Sequence, residues 1–235
     1  MRLRMFPLNT VLFPGATLSL HIFEPRYKQM IAECLDGGEP FGVSLIRDGD
    51  EAGDPNVMPH GVGTTAEISE MRPLPEGRYF INTIGRKRFR IDQVVSREPY
   101  LLCEVTVLDD DQQASAPDEL VSQVRGEFAE YLRLLVRFAG TQAGVDLPED
   151  PGAGSFVIGH ILQVADAMKQ RLLEAATTQE RLAMELAFLR KLLPQLRSLI
   201  ERRKRKSIAQ PSDAAPGGAT RSAQEKLFGK YFSQN

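Results

Sequence analysis

Apolar and polar residues alternate along roughly the first 110 positions, then give way to a helical repeat. Leu3 to Leu8 and Thr17 to Phe23 read as strands, and in the second Leu18, Leu20 and Ile22 alternate with Ser19 and His21. Pro14-Gly15 between them is turn chemistry. Glu24-Pro25 opens a helix expected to run to about Leu35, with Tyr27, Met30, Ile31 and Cys34 on one face and Gly37-Gly38 ending it. Further strands are predicted at Phe41 to Ile46, Val62 to Met71, Arg78 to Ile84, Arg88 to Val95 and Tyr100 to Leu108. A polar loop over 47–61, a turn at Pro73-Leu74-Pro75-Glu76-Gly77 and a tight connection at Gly85 separate them. Gly63 marks a bulge or a close backbone approach. On the Arg88 strand the alternation places Phe89 and Ile91 on one side and Arg88, Arg90 and Asp92 on the other.

Asp109-Asp110-Asp111 marks a boundary. Beyond it Ser115 and Asp118 open a helix through Leu120, Val124, Phe128, Tyr131, Leu135 and Phe138. After a Gly/Pro/Asp loop, Ser155 is expected to cap a helix to about Ala167, and Lys169 to Ala175 forms another. Thr177 with Glu180 is a capping box for a long last helix whose Leu182, Leu186, Leu189, Leu193, Leu196 and Ile200 fall at coiled-coil spacing. That seam offers a route to self-association. The expected division is a β-rich part over 1–111, a helical part over 115–206, and a disordered tail over 207–235. The tail ends in a short apolar motif, Leu227, Phe228, Tyr231 and Phe232, with the form of a docking peptide.

Three stretches carry a family likeness. The first reads F-P-L, then L-F-P-G, then L-x-I-F-E-x-R-Y, with Phe13, Pro14, Gly15, Ile22, Phe23, Glu24, Arg26 and Tyr27 in place. The second is Gly63, Thr64, Ala66 and Ile68; the third is Gly77, Arg78, Ile81, Gly85, Arg88, Phe89 and Ile91, followed by Pro99-Tyr100. This pattern resembles the substrate-binding N-terminal domain of Lon proteases, over roughly residues 1 to 200. The resemblance implies an α+β fold. Its first part is a PUA-like β pseudo-barrel with one small helix, and a C-terminal helical bundle ending in a long helix follows. It also implies capture of unfolded or extended polypeptide, with a separate ATPase or protease as a partner.

Composition narrows the chemistry. A formal net charge of −2 gives no whole-chain attraction to nucleic acid or anionic membrane. Cys34 and Cys103 make no disulfide framework and show no metal spacing, and Cys103, alternating with Leu101 and Val105, reads as a buried thiol. No stretch reaches the length of a membrane span and no signal peptide is evident, so a cytoplasmic location is expected. The chain lacks a Walker A loop, and His21, His60 and His160 form no catalytic or metal pattern. No catalytic residue, cofactor or metal is expected.

A non-catalytic polypeptide-binding accessory of proteolysis is therefore the leading reading. Its candidate contacts are Leu12, Phe13 and Pro14 at the first turn, with Met71 and Leu74 at the second; Phe13 alternatively plugs the barrel end. Gly15, Phe23, Glu24, Arg26, Tyr27, Gly63, Gly77, Gly85, Arg88 and Phe89 carry the family motif and read as architecture. There Glu24 accepts helix N–H groups, and Arg26 ties the helix to the sheet. A second reading makes Arg86, Lys87, Arg88 and Arg90, with the basic run 202–206, an RNA-binding surface. The run itself reads first as the cap of its own helix. A third reading places a small-ligand enzyme in a cleft between barrel and helices.

Overall fold

The computed structural model describes residues 1–50, 53, 54, 56–110, 115–139 and 144–209. Among these residues lie seven strands: β1 (Arg2–Leu8), β2 (Thr17–Ile22), β3 (Phe41–Asp48), β4 (Met58–Pro59), β5 (Val62–Leu74), β6 (Arg78–Ser96) and β7 (Leu102–Val107). The five helices are α1 (Pro25–Gly37), α2 (Asp118–Ala139), α3 (Pro151–Ile161), α4 (Asp166–Glu174) and α5 (Thr178–Ala209). The mixed architecture expected from the sequence is the one observed. The tail motif at Leu227, Phe228, Tyr231 and Phe232 lies outside the described residues.

The strands β7, β6, β5 and β3 pair antiparallel in that order, and β1 joins β7 antiparallel and β3 parallel, which closes a ring of five. Closure removes open edges from those strands. Inside the ring Leu3, Met5, Phe89, Leu101, Cys103 and Val105 form one buried apolar cluster. β2 stands off the ring and pairs with the first half of β6.

Two expected strands are a single one. β6 runs without a break through Gly85, because that glycine makes a close approach instead of a turn. Its N–H donates to the Ala16 carbonyl at 2.9 Å, and its own carbonyl accepts from Gly15 N–H at 2.9 Å. A Cβ at Gly85 would lie 2.3 Å from the Phe13 carbonyl oxygen. Gly63 is a close approach too, with the Val43 carbonyl 2.4 Å from where its Cβ would stand.

Contacts divide the chain into two units: Met1–Asp118 with Leu147–Glu185, and Glu119–Asp146 with the chain from Leu186 onward. The helical residues expected as one part are thus shared between units. Arg88 supplies the physical reason within the first. Expected to face outward, it is buried, with 2 % of its surface exposed. Its Nε donates to Asp110 Oδ1 at 2.8 Å, and its Nη1 donates to the Leu173 and Ala175 carbonyls at 2.6 and 2.8 Å. The C-terminal end of α4 is thereby held to the ring by its own carbonyls. Arg181 is also buried, but on side chains: its Nε donates to Ser155 Oγ at 2.7 Å and its guanidinium lies 3.8 Å from the Phe156 ring centre.

Helix boundaries differ from expectation where side chains find other partners. α3 begins at Pro151, and Asp150 caps it by accepting the Ala153 N–H at 2.6 Å. Ser155 sits inside that helix with its hydroxyl donating to the Gly152 carbonyl. At α5 the Thr177 half of the box forms, with Glu180 N–H donating to Thr177 Oγ1 at 3.1 Å, but the Glu180 carboxylate accepts from Ala176 N–H at 2.9 Å, one residue before the N-cap.

In the second unit α2 and α5 run side by side in the same direction. Arg190 donates to Gln123, Arg197 to Glu130, and Arg203 to the Phe138 carbonyl at 2.6 Å. The seam residues Leu186, Leu189, Leu193, Leu196 and Ile200 are buried within the one chain, so they present no free stripe for self-association. The basic run does not end its own helix, which continues to Ala209. Its Arg203 instead covers a last-turn carbonyl of α2, where a cation is favoured.

Glu185 closes the buried polar set of the first unit. It is fully buried, and burial raises its carboxyl well above the ordinary range, with nearby Arg181 opposing the shift. A folded-state pKa raised above the unfolded one means stability is fully present below the unfolded value and is lost as pH rises through the folded value. Glu185→Gln should therefore flatten the fall of the melting temperature as pH rises above the ordinary carboxylate range, while changing little at pH 4; equal pH profiles in both proteins would contradict this.

Candidate functional site

The first half of β6 leaves the ring with β2 on one side and β5 on the other, forming a three-stranded arm. Residues directly opposite on antiparallel strands point to the same face. Leu18, Leu20 and Ile22 stand opposite Thr83, Ile81 and Tyr79. These in turn stand opposite Ile68, Met71 and Pro73, with a register shift between Ile68 and Glu70. One face of the arm is therefore an apolar row three strands wide. Ile81 at its centre is fully buried, while Leu18, Leu20, Ile68 and Tyr79 are half-buried around it and Met71 is 42 % exposed.

The other face is polar. Ser19 donates to Asn82 Oδ1 at 2.6 Å, and Asn82 Nδ2 donates to Glu70 at 2.7 Å. Arg72 lies over the Phe80 ring at 5.1 Å, and His21 sits beside Phe23, which is 45 % exposed. The hairpin tip between β5 and β6 turns at Glu76 and Gly77, which have φ of 62° and 64°. Only glycine takes that conformation without cost, so Gly77 serves the turn.

The predicted contact residues separate into two groups. Met71 and Leu74 lie on the hairpin of the arm, Met71 exposed and Leu74 half-buried. Leu12 and Phe13 are buried, with 4 % and 0 % of their surfaces exposed, and Pro14 is half-buried. Phe13 packs at 6.5 Å against the Phe156 ring, and its own ring would lie 2.9 Å from a Cβ at Gly159. The Phe13 tip is thus not an exposed contact. The turn at Gly15, with φ of 79°, directs the chain inward there.

The motif residues at α1 also differ from their expected roles. Glu24 occupies the N-cap position, but its side chain makes no cap hydrogen bond; its backbone carbonyl takes the N–H groups of Tyr27 and Lys28. Its carboxylate accepts instead from Arg26 Nε at 2.9 Å. The Arg26 guanidinium lies 4.6 Å from the Tyr27 ring centre, and Tyr27 stacks on Phe6 at 3.9 Å. Arg26 Nη1 reaches the Asp54 carbonyl, in the loop after β3, at 3.3 Å.

Elsewhere in the first unit a cavity of about 530 Å³ is lined by Met1, Cys34, Leu35, Pro40, Ile68 and Val107. Among its rim charges Arg86 pairs with Glu67 at 2.8 Å and Glu39 with Arg4 at 2.6 Å. Burial pushes the Cys34 thiol up to about 11, leaving little thiolate at neutral pH. Among the described residues no group of three or more His, Cys, Asp or Glu side chains could hold a metal ion, and no helix is long and apolar enough to cross a membrane.

Residues 2–191 match the family described as the ATP-dependent protease La (LON) substrate-binding domain. The chain belongs to that family. It is 33 % identical to the Lon protease of Flavobacterium johnsoniae over 162 residues, which are 68 % of this chain and 18 % of that protein. With the Lon protease of Phenylobacterium zucineum it shares 26 % over 210 residues, 87 % of this chain and 26 % of that one. The chain thus spans about a quarter or less of the length of these curated relatives. A crystal structure of a Lon N-terminal domain protein from Xanthomonas campestris superposes with a TM-score of 0.63 at 26 % identity, covering 80 % of this chain and 98 % of that one. The N-terminal domain of the Mycobacterium avium complex Lon protease shares the fold, with a TM-score of 0.59 at 19 % identity.

The sequence reading missed Leu20 as a partly exposed residue. The strand alternation marks Leu20 as facing inward, and nothing local reveals that the sheet it belongs to leaves the ring. Arg88 and Arg181 were missed as buried anchors for the same kind of reason, since their partners lie on distant segments.

Proposed function

We propose that this Lon-family domain binds extended polypeptide segments on the apolar face of the β2–β6–β5 arm, without catalysis of its own, as an accessory to proteolysis. The observation that carries the reading is the half-exposed row of Leu18, Leu20, Ile68, Met71 and Tyr79 around Ile81. Unfolded chains offer apolar side chains, and a row of this kind gives them area to bury. An adaptor role follows if a separate ATP-dependent protease receives the bound segment.

Fluorescence anisotropy with a labelled, reduced and carboxymethylated polypeptide tests the reading. Leu20→Glu combined with Met71→Glu should weaken binding about tenfold or more, the equivalent of about 1.4 kcal/mol. Both positions are at least partly exposed, so cooperative unfolding should survive. Unaltered affinity in a folded double variant would remove the arm as the site.

The RNA reading loses its strand. Arg88 is buried against Asp110 and two carbonyls, Arg86 is held by Glu67, and Arg90 lies 3.6 Å from Asp92. The junction between the ring and α3–α4 is filled by Arg88, Phe156 and Arg181, which removes the support for a ligand cleft there.

A further inference from the structure

The arm has two outer edges, and they are built differently. β5 beyond Glu67 carries the devices that blunt an exposed edge: a register shift between Ile68 and Glu70, charges at Glu67, Glu70 and Arg72, and Pro73, which has no N–H to offer. β2 carries none of them. Its six residues, T-L-S-L-H-I, include no proline and no Asp, Glu, Lys or Arg, and its register with β6 runs unbroken from Thr17 opposite Ile84 to Ile22 opposite Tyr79. Among the described residues it pairs with β6 alone.

The direction of its free backbone groups follows from the ladder. Antiparallel positions alternate between those that exchange hydrogen bonds with the partner and those that do not. The Gly85 N–H donates to the Ala16 carbonyl, which makes position 16 a bonding one. By the period of two, Leu18, Leu20 and Ile22 bond to β6. The N–H and C=O groups of Thr17, Ser19 and His21 then point to the outer edge. Natural proteins protect such an edge unless it is used.

We infer that β2 is a strand-addition site: an extended segment of client polypeptide pairs along Thr17–Ile22 through the outward backbone groups of Thr17, Ser19 and His21. The inference rests on the polypeptide-binding reading and specifies its mode. Backbone pairing gives affinity with little demand on sequence, and side-chain alternation supplies the selection. Every second residue of the added strand continues the row of Leu18 and Leu20, while the others lie beside Ser19 and His21. The preferred client is therefore a segment of about six residues, extended and alternately apolar, spanning about 20 Å. A second copy of this chain is a poorer occupant. Two six-residue edges pairing with each other bury far less than the roughly 1,200 Å² of a stable interface.

The test uses the full chain and a fluorescein-labelled peptide of alternating valine and threonine between terminal lysine pairs. Two derivatives carry backbone N-methyl groups at every second residue, offset from each other by one. One offset should lose about tenfold in affinity while the other retains it, because only alternate amides face the edge. On the protein, Ser19→Pro removes an outward N–H without touching a bond to β6, and should weaken binding about tenfold. Ser19→Ala, which loses only the Asn82 hydrogen bond, should stay within about twofold. No affinity for the parent peptide or for the carboxymethylated polypeptide would overturn the polypeptide reading itself. Binding indifferent to both offsets and to Ser19→Pro would overturn strand addition and leave that reading standing. A dimer in sedimentation that Ser19→Pro dissolves, and that peptide does not displace, would assign the edge to a second copy instead.

Discussion

Arg88→Met is expected to destabilise the protein by about 3–5 kcal/mol in urea denaturation. The aliphatic side chain fills much of the same volume, so the loss measures the guanidinium and not a cavity. Without it Asp110 loses its ionic partner, and the Leu173 and Ala175 carbonyls lose donors inside a buried junction. A carbonyl left unpaired there has no water to turn to. The double variant Arg88→Met, Asp110→Asn should recover part of the loss, since it removes the orphaned carboxylate as well. A loss under about 1 kcal/mol in the single variant would show that α4 is held to the ring by packing alone.

Phe13→Ala comes next in size, at about 3–5 kcal/mol, the range for truncating a fully buried aromatic ring. Phe13 is 0 % exposed and packs on Phe156 and against Gly159. Phe13→Leu, which keeps most of the volume, should cost less. Neither change should alter polypeptide affinity measured per folded molecule. An affinity loss in a folded Phe13→Leu protein at unchanged stability would return this residue to the binding surface. Phe13 and Met71 thus separate cleanly, the first acting on stability and the second on binding.

The contrast between these two positions shows where sequence reasoning held. Both are apolar residues at turns with no core position evident from the sequence. The turn at Pro14-Gly15 was legible, but its direction was not: Gly15 sends Phe13 inward to helix α3, more than 140 positions away in sequence. The hairpin at Glu76-Gly77 projects Met71 outward because β5 and β6 continue past the ring. The local chemistry of the two turns is similar, and their surroundings are opposite.

Gly85 teaches the same point on the backbone. A glycine between two strand-like runs reads as a turn, whereas here it lets the Phe13–Ala16 backbone come within bonding distance of an unbroken strand. Glycine removes a side chain in either case, and only the neighbouring segment tells which use is made of it.

The sequence by itself determined the family and the order of the elements, apart from two strands. Two expected strands are fused into β6, and the short β4 forms within the predicted 47–61 loop by pairing with β3. Apolar period sets strand against helix, and capping residues and glycines mark ends; all of these act within a few residues of one another. The Thr177 cap on Glu180 N–H and the α1 face of Tyr27, Met30, Ile31 and Cys34 form as the sequence predicts. The tertiary structure alone decided which polar residues are interior and which apolar residues are surface. Arg88 is inside because carbonyls of α4 and Asp110 satisfy it, and Leu20 is half-exposed because its strand stands off a closed ring. Burial is a property of what lies across from a residue, and alternation along one strand records only that its two sides differ.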